Sequence, residues 1–201
     1  MPDINVTKAE FIDIYTKHVT REGSEKLLEY LLNSDFFTAP ASAKFHLAEK
    51  GGLCQHSLNV YKRLLQLVER EYGANYRDVV SDETIAICGL LHDVCKVNYY
   101  TVEYRNVKED NFWVKKPFYG VDERFPYGHG EKSVFIISQY LKLTPEEAMA
   151  INWHMGGFDA RVMGGSHSLS DAYAKYKIAL LMHIADISAT YLDEDRGFKS
   201  V

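Results

Sequence analysis

The sequence has no apolar run long enough to span a bilayer, and its opening stretch, Met1-Pro-Asp-Ile-Asn-Val-Thr-Lys8, has neither the basic nor the apolar region of a secretory signal. Those two absences argue against a membrane partner and make a cytoplasmic protein the expectation. Cysteine is scarce: Cys54, Cys88 and Cys95 are an odd number without Cys-x-x-Cys spacing, which argues against a disulfide framework or a thiolate zinc knuckle. All three read as small buried apolar residues and are left out of the site, with a thiolate at the metal's edge the minor alternative for Cys54 and Cys95, each two positions from a candidate ligand. An excess of positive charge is also lacking. With 23 Lys and Arg against 28 Asp and Glu the net charge is −5, which disfavours tight nonspecific binding to nucleic acid. The segment Phe112-Trp-Val-Lys115-Lys116 mixes aromatics with lysines as single-strand-binding surfaces do, a composition that an amphipathic strand shares. Internal repeats and low-complexity tracts are absent.

What is present describes an ordinary globular chain. At 201 residues, 46% hydrophobic and 25% charged, the length fits one compact domain over 1–201 with a core at about 51–191. Helical spacing dominates. The first helix is expected to start at Thr7, where Thr7-Lys-Ala-Glu10 forms a capping box ahead of Phe11, Ile14, Tyr15 and Val19. A second is capped by Ser24 and carries Leu27, Leu28, Leu31 and Leu32. A long helix from Leu53 to Tyr72 follows Gly51-Gly52, with His56 in its first turn and Gly73 as its stop. Ser81 caps the next, whose stripe Ile85, Cys88, Leu91 and Cys95 puts His92 and Asp93 near its C-terminal end. Between residues 97 and 128 the pattern becomes that of a β-hairpin insertion, from Tyr99 to Tyr119, with Lys-Glu-Asp-Asn at its turn. Helices resume from Gly130 to Leu141 and again at Thr144-Pro-Glu-Glu147, a capping box with proline at the first helical position. A glycine-rich loop from Gly156 to Ser170 then leads to one last helix, from Asp171 to about Tyr191.

The chemistry concentrates on histidine and aspartate. His92 and Asp93 interrupt an apolar run, and an ionisable pair in a buried helix must be compensated, most economically by a divalent metal. Asp186, in an equally apolar helix, needs a partner for the same reason. His56, His92, Asp93 and Asp186 offer nitrogen and oxygen donors from three helices, a set that suits Mn, Fe, Ni, Zn or Mg. His129, at a helix start, and His154, at a helix end, are placed to reach a second metal bridged by Asp93, and paired metals about 3.5–4 Å apart are a recurring device for phosphoester hydrolysis. His18, His167 and His183 read as ordinary core or surface histidines.

Gly51-Gly-Leu-x-x-His56-Ser-Leu, Leu91-His92-Asp93-x-x-Lys96, Gly128-His129, Asn152-Trp-His154 and Ala185-Asp186-x-Ser-Ala189 together resemble the HD-domain metal-dependent phosphohydrolases. The pattern looks closest to HD domains of bacterial 3′-5′ exoribonucleases and, in Pro40-Ala-Ser42, His46 and Gly51-Gly-Leu53, to HD-type relaxases. The resemblance implies an all-α, HD/PDEase-like helical domain, here with a small β-hairpin insertion. It also implies hydrolysis of a phosphoester of a nucleotide or short nucleic acid by metal-activated hydroxide, using one or two divalent ions. Two positions depart from the pattern: Cys95 where many relatives carry glycine, and Met155 where a second histidine often follows the first, which puts full occupancy of a second metal in doubt. Exoribonucleases also carry a separate nucleic-acid-binding OB domain for which this chain has no room, so small nucleotides are the favoured substrate, with single-stranded nucleic acid the other.

Within this reading Asp93 bridges the metals and is catalytic. Lys96, one turn from His92, either holds a phosphate oxygen or pairs with Asp93; a dipole-stabilising surface cation is the plain alternative. Arg124 and Arg161 are weaker candidates for phosphate binding, and Tyr104, Trp113 and Tyr119 for base stacking. Two readings compete with hydrolysis: a non-catalytic module that binds a nucleotide or metal, and, less favoured, a di-iron oxygenase built on the same helical plan.

Overall fold

The computed structural model describes residues 3–194, so the two ends of the expected 1–201 unit, residues 1–2 and 195–201, lie outside the described residues. The architecture is all-α with one small β-hairpin. Its centre is α4 (Asp82–Leu91), in which every residue from Thr84 to Leu91 is buried. A helix apolar on all sides has to be enclosed by others. α1 (Ile4–His18), α3 (Gly52–Tyr72) and α6 (Pro145–Asn152) pack around it, and α9 (Lys177–Ser188) lies on α3 and α6. α2 (Ser24–Leu32) and α5 (His129–Ser138) complete the shell, with Leu27, Leu31 and Ile137 fully buried in the same core.

Local chemistry accounts for most helix ends. Ser81 Oγ accepts the Thr84 N–H, and the Thr144–Glu147 capping box forms with Pro145 at the first helical position. Gly73 ends α3 with φ 72°, as expected for a glycine stop. The first helix differs from the expectation. Asp3 rather than Thr7 is the cap, accepting the Asn5 N–H, and Thr7 sits one turn inside, buried, its hydroxyl donating to Gln55 Oε1 at 3.3 Å. A cap residue upstream extends the helix, and tertiary contact occupies the hydroxyl that the local motif would have used.

The hairpin, β1 (Tyr100–Glu109) and β2 (Phe112–Val121), forms where its pattern indicated and runs two residues past Tyr119. Asp110 and Asn111 both have positive φ, 46° and 68°, the backbone that a tight two-residue hairpin turn demands. A two-stranded ribbon is marginal alone. Its base is tied down where the Tyr100 hydroxyl donates to the Ala41 carbonyl at 3.1 Å, while Tyr104 and Trp113 further out are 62% and 72% exposed.

The glycine-rich loop carries more structure than its composition indicated: α7 (Ala160–Met163) forms within it, and α8 (Ser168–Lys175) starts before it was expected to end. The single last helix expected from Asp171 to Tyr191 is two, because Tyr176, at φ −125° and ψ 96°, breaks α8 from α9; a wider turn, Ala189–Asp193, follows α9. Helical spacing of apolar residues runs through that break, which is why the pattern hides it.

Gly89 sets how closely α3 and α4 approach. A Cβ there would stand 2.6 Å from Tyr61 Cα, with backbone on the far side and no flexible side chain to yield. Gly89→Ala is therefore expected to lower stability by about 1–3 kcal/mol through overpacking, read as a reduced midpoint in urea unfolding with an unchanged slope; a wild-type midpoint would show that the helices slide apart freely.

Candidate metal centre

The centre is built where α4 stops. His92 is its C-cap, Asp93 leaves helical geometry at φ −107° and ψ 19°, and a tight turn, Val94–Lys96, carries the chain away. Both side chains thereby point across the end of the helix instead of into its flanks. α3 brings His56, its fifth residue, to the same place from near its N-terminal end, α9 brings Asp186, and His154 follows Trp153, the C-cap of α6. His56, His92, Asp93 and His154 are at most 2% exposed.

The donors converge closely. His56 Nε2 lies 3.2 Å from His92 Nε2, 3.3 Å from Asp186 Oδ1 and 3.6 Å from Asp93 Oδ2. His92 Nε2 is 3.5 Å from Asp93 Oδ2, and His154 Nε2 is 3.5 Å from Asp93 Oδ1. On the other side of Asp93 stand Cys95 and His129, the first residue of α5, with Cys95 Sγ 3.5 Å from His129 Nδ1. The structure thus brings together all six histidine and aspartate positions singled out from the sequence.

The outward faces of the rings decide what the inward faces carry. His92 Nδ1 donates to the Gly89 carbonyl at 3.0 Å and His154 Nδ1 to the Ile151 carbonyl at 2.7 Å, while His56 Nδ1 meets Glu194 Oε1 at 2.9 Å. An Nδ1 facing an acceptor holds the ring proton, which leaves the Nε2 lone pair for the interior. These inward nitrogens and the carboxylates of Asp93 and Asp186 face one another in a buried space, an arrangement that a positive charge stabilises. Titration follows the same logic. Burial acts to lower His56, but the carboxylates of Glu194 and Asp186 outweigh it and push the ring up to about 10. Burial likewise opposes charge on Asp93, yet Lys96 and His92 hold its carboxyl well below the usual range. A proton on His56 supplies the positive charge that a divalent ion supplies more fully. Residues and metal fit each other: the groups His56, His92, Asp186 and His92, Asp93, His154 are placed to hold an ion.

Lys96 is not a surface cation. It is 9% exposed, its Nζ donates to Asp93 Oδ2 at 2.6 Å, and the pairing keeps it charged despite burial. It lines, with His56, Asp93, His129 and Asp186, an open cavity of about 390 Å³ whose outer wall includes Phe45, Met155 and Phe158. That volume is in the range of small-molecule sites. Arg124 and Arg161 do not belong to this cavity. Arg124 is paired with Asp122, and Arg161 is consumed by Asp159 and Glu131 and stacked 3.9 Å from the Trp153 ring. Tyr104, Trp113 and Tyr119 are likewise outside its lining, Tyr119 facing an adjacent groove with Lys44 and Lys50.

Four residues near the site escape a reading by sequence. Glu194 is fully buried at its carboxylate and also accepts from Asn59 Nδ2 at 2.9 Å. His46 lines the cavity with its buried Nε2 lacking a hydrogen bond among the described residues. His183, set aside as an ordinary histidine, lines it too and donates from Nδ1 to the His154 carbonyl at 2.8 Å, against Gly156, where any Cβ would collide with the imidazole. Cys95, set aside as packing, touches His129. The motif containing His46 and the spacing of Cys95 from Asp93 were the available signals; nothing marked Glu194. Because Glu194 fixes His56, Glu194→Gln is expected to weaken metal affinity by about 10–100-fold, measured by competition with a chelating dye; unchanged affinity would make the contact incidental.

Comparison with known proteins agrees with this geometry. No curated protein and no solved structure matches the chain significantly. The family model for the HD domain matches residues 53–191, a span that takes in His56, the His92-Asp93 turn, His129, His154 and Asp186. The protein belongs to the HD-domain family, whose members include metal-dependent phosphohydrolases.

Proposed function

We propose that the protein is a metal-dependent phosphohydrolase that cleaves a phosphoester of a nucleotide or short nucleic acid. The observation that carries the reading is the convergence of three inward-facing imidazole nitrogens and two carboxylates at the floor of a cavity that also holds a buried, charged lysine. A divalent ion bound there supplies Lewis acidity and lowers the pKa of a coordinated water. His56, His92, Asp93 and Asp186 would hold it, with His154 and His129 the neighbouring donors beside Asp93. Lys96 keeps Asp93 ionised and oriented, and its ammonium faces the cavity where a phosphate oxygen would lie. Phe45, Met155 and Phe158 offer apolar surface beside the donors, on which a base or sugar could rest. This set of complete donors favours turnover over a purely binding role, since a module that only binds has no need of them all.

The outer hairpin favours a strand over a lone nucleotide. One face of the ribbon presents Val102, Tyr104, Asn106 and Lys108 against Tyr119, Pro117, Lys115 and Trp113, with aromatics and lysines and no carboxylate. The carboxylates Glu103 and Glu109 lie on the opposite face, paired with Arg105 and Lys116. Aromatic rings interleaved with cations are what successive unpaired bases stack upon.

The test is hydrolysis by metal-stripped protein reloaded with Mn, Ni, Zn or Mg, against mononucleotides, cyclic nucleotides and short single-stranded RNA and DNA. We expect turnover that Asp93→Ala abolishes and that Lys96→Gln lowers about tenfold or more. Tight binding of the whole panel without hydrolysis under every metal would favour the binding module instead. With Tyr104→Ala and Trp113→Ala combined, KM for an oligonucleotide is expected to rise at least about fivefold while KM for a mononucleotide stays unchanged; equal effects on both would remove the ribbon from substrate binding.

A further inference from the structure

The three cysteines are not equivalent. Cys88, on α4, is enclosed in the hydrophobic core, and Cys54 Sγ donates to the Thr7 carbonyl at 3.9 Å. Cys95, 2% exposed, instead faces two metal-type donors contributed from different parts of the fold: His129 Nδ1 at 3.5 Å and Asp93 Oδ1 at 3.8 Å. The three donor atoms lie within 4.8 Å of one another, and of the cysteines only Cys95 takes part in such a group among the described residues.

We propose that Asp93, Cys95 and His129 form a thiolate-containing metal position beside the all-nitrogen-and-oxygen one, selective for a thiophilic divalent ion of the zinc class. The inference rests on the metal reading of the preceding section. Donors at zinc-like bond lengths of about 2.1 and 2.3 Å around a tetrahedral centre stand roughly 3.6 Å apart, and the observed separations of 3.5 and 3.8 Å match. The turn that carries the thiol is fixed: the Cys95 N–H donates to Ser133 Oγ at 3.2 Å, and Ser133 lies one helical turn after His129 on α5. The same helix therefore sets both the imidazole and the sulfur. His129 and Asp93 line the cavity, so an ion held by them is reachable from the cavity by substrate or water. Binding breaks the Cys95 S–H bond and forms a metal–sulfur bond, and the proton leaves to the solvent. A mixed sulfur, nitrogen and oxygen set discriminates against magnesium and manganese more strongly than the position made by His56, His92 and Asp186, which has no sulfur donor.

Cobalt(II) is the probe. Metal-stripped full-length protein titrated with cobalt is expected to develop a sulfur-to-cobalt charge-transfer band in the near ultraviolet. The band should vanish in Cys95→Ser and Cys95→Ala and persist in Cys54→Ser. Calorimetry of zinc binding in buffers of different ionisation enthalpy should show one more proton released by the wild type than by Cys95→Ala. Because the band is read in the wild type, misfolding of a variant does not decide the outcome. Bound cobalt without that band overturns the thiolate position and leaves the metal centre standing, as does a band that survives in both Cys95 variants. No cobalt bound at all overturns both.

Discussion

Five electron-rich groups share one buried space: the Nε2 atoms of His56, His92 and His154 and the carboxylates of Asp93 and Asp186. Left to themselves they repel, and burial denies them the water that would screen them. Much of the surrounding structure serves to hold them there. Carbonyls of Gly89 and Ile151 and the carboxylate of Glu194 fix the rings from outside, so that no ring can turn its lone pair away. Lys96 neutralises part of the charge at Asp93 and leaves the remainder for a metal ion.

The fold supplies this arrangement through helix ends. α4 is buried along its length because it is apolar all round, and the only way for it to carry polar chemistry is at its end, where His92 and Asp93 stand. α3 contributes from its fifth residue, α5 from its first, and α6 from the residue after its C-cap. Ends are where a side chain can leave the cylinder of a helix and where several helices can present groups to one point. Gly89 ties the two scales together: its missing side chain lets α3 approach α4, and its carbonyl orients His92.

Much of this was legible in the sequence, for identifiable reasons. The metal-type residues stood out because charge inside apolar helical runs has few explanations, and the helical core and its aromatic hairpin followed from periodicity. Capping boxes located α6 well but misplaced the start of α1, because Asp3 offers an earlier cap and Thr7 is committed to Gln55. Glu194 was invisible: it meets His56 across 138 positions, within the acidic run Asp193-Glu194-Asp195, where solvent exposure is the ordinary expectation. Arg124 and Arg161 were plausible by proximity in sequence, yet nearby carboxylates capture both. Cys95 read as packing because its burial is evident from the sequence pattern while its neighbour His129 comes from beyond the hairpin. In each miss the deciding partner was distant in sequence or competed from close by, and neither leaves a periodic trace.

The central claim is that this cluster exists to hold a divalent ion. Crystals grown from metal-stripped protein and soaked in manganese, with data collected at the manganese absorption edge, test it directly. The account predicts an anomalous peak enclosed by His56 Nε2, His92 Nε2, Asp93 and Asp186. No peak at that position, with the side chains as described here, would contradict it.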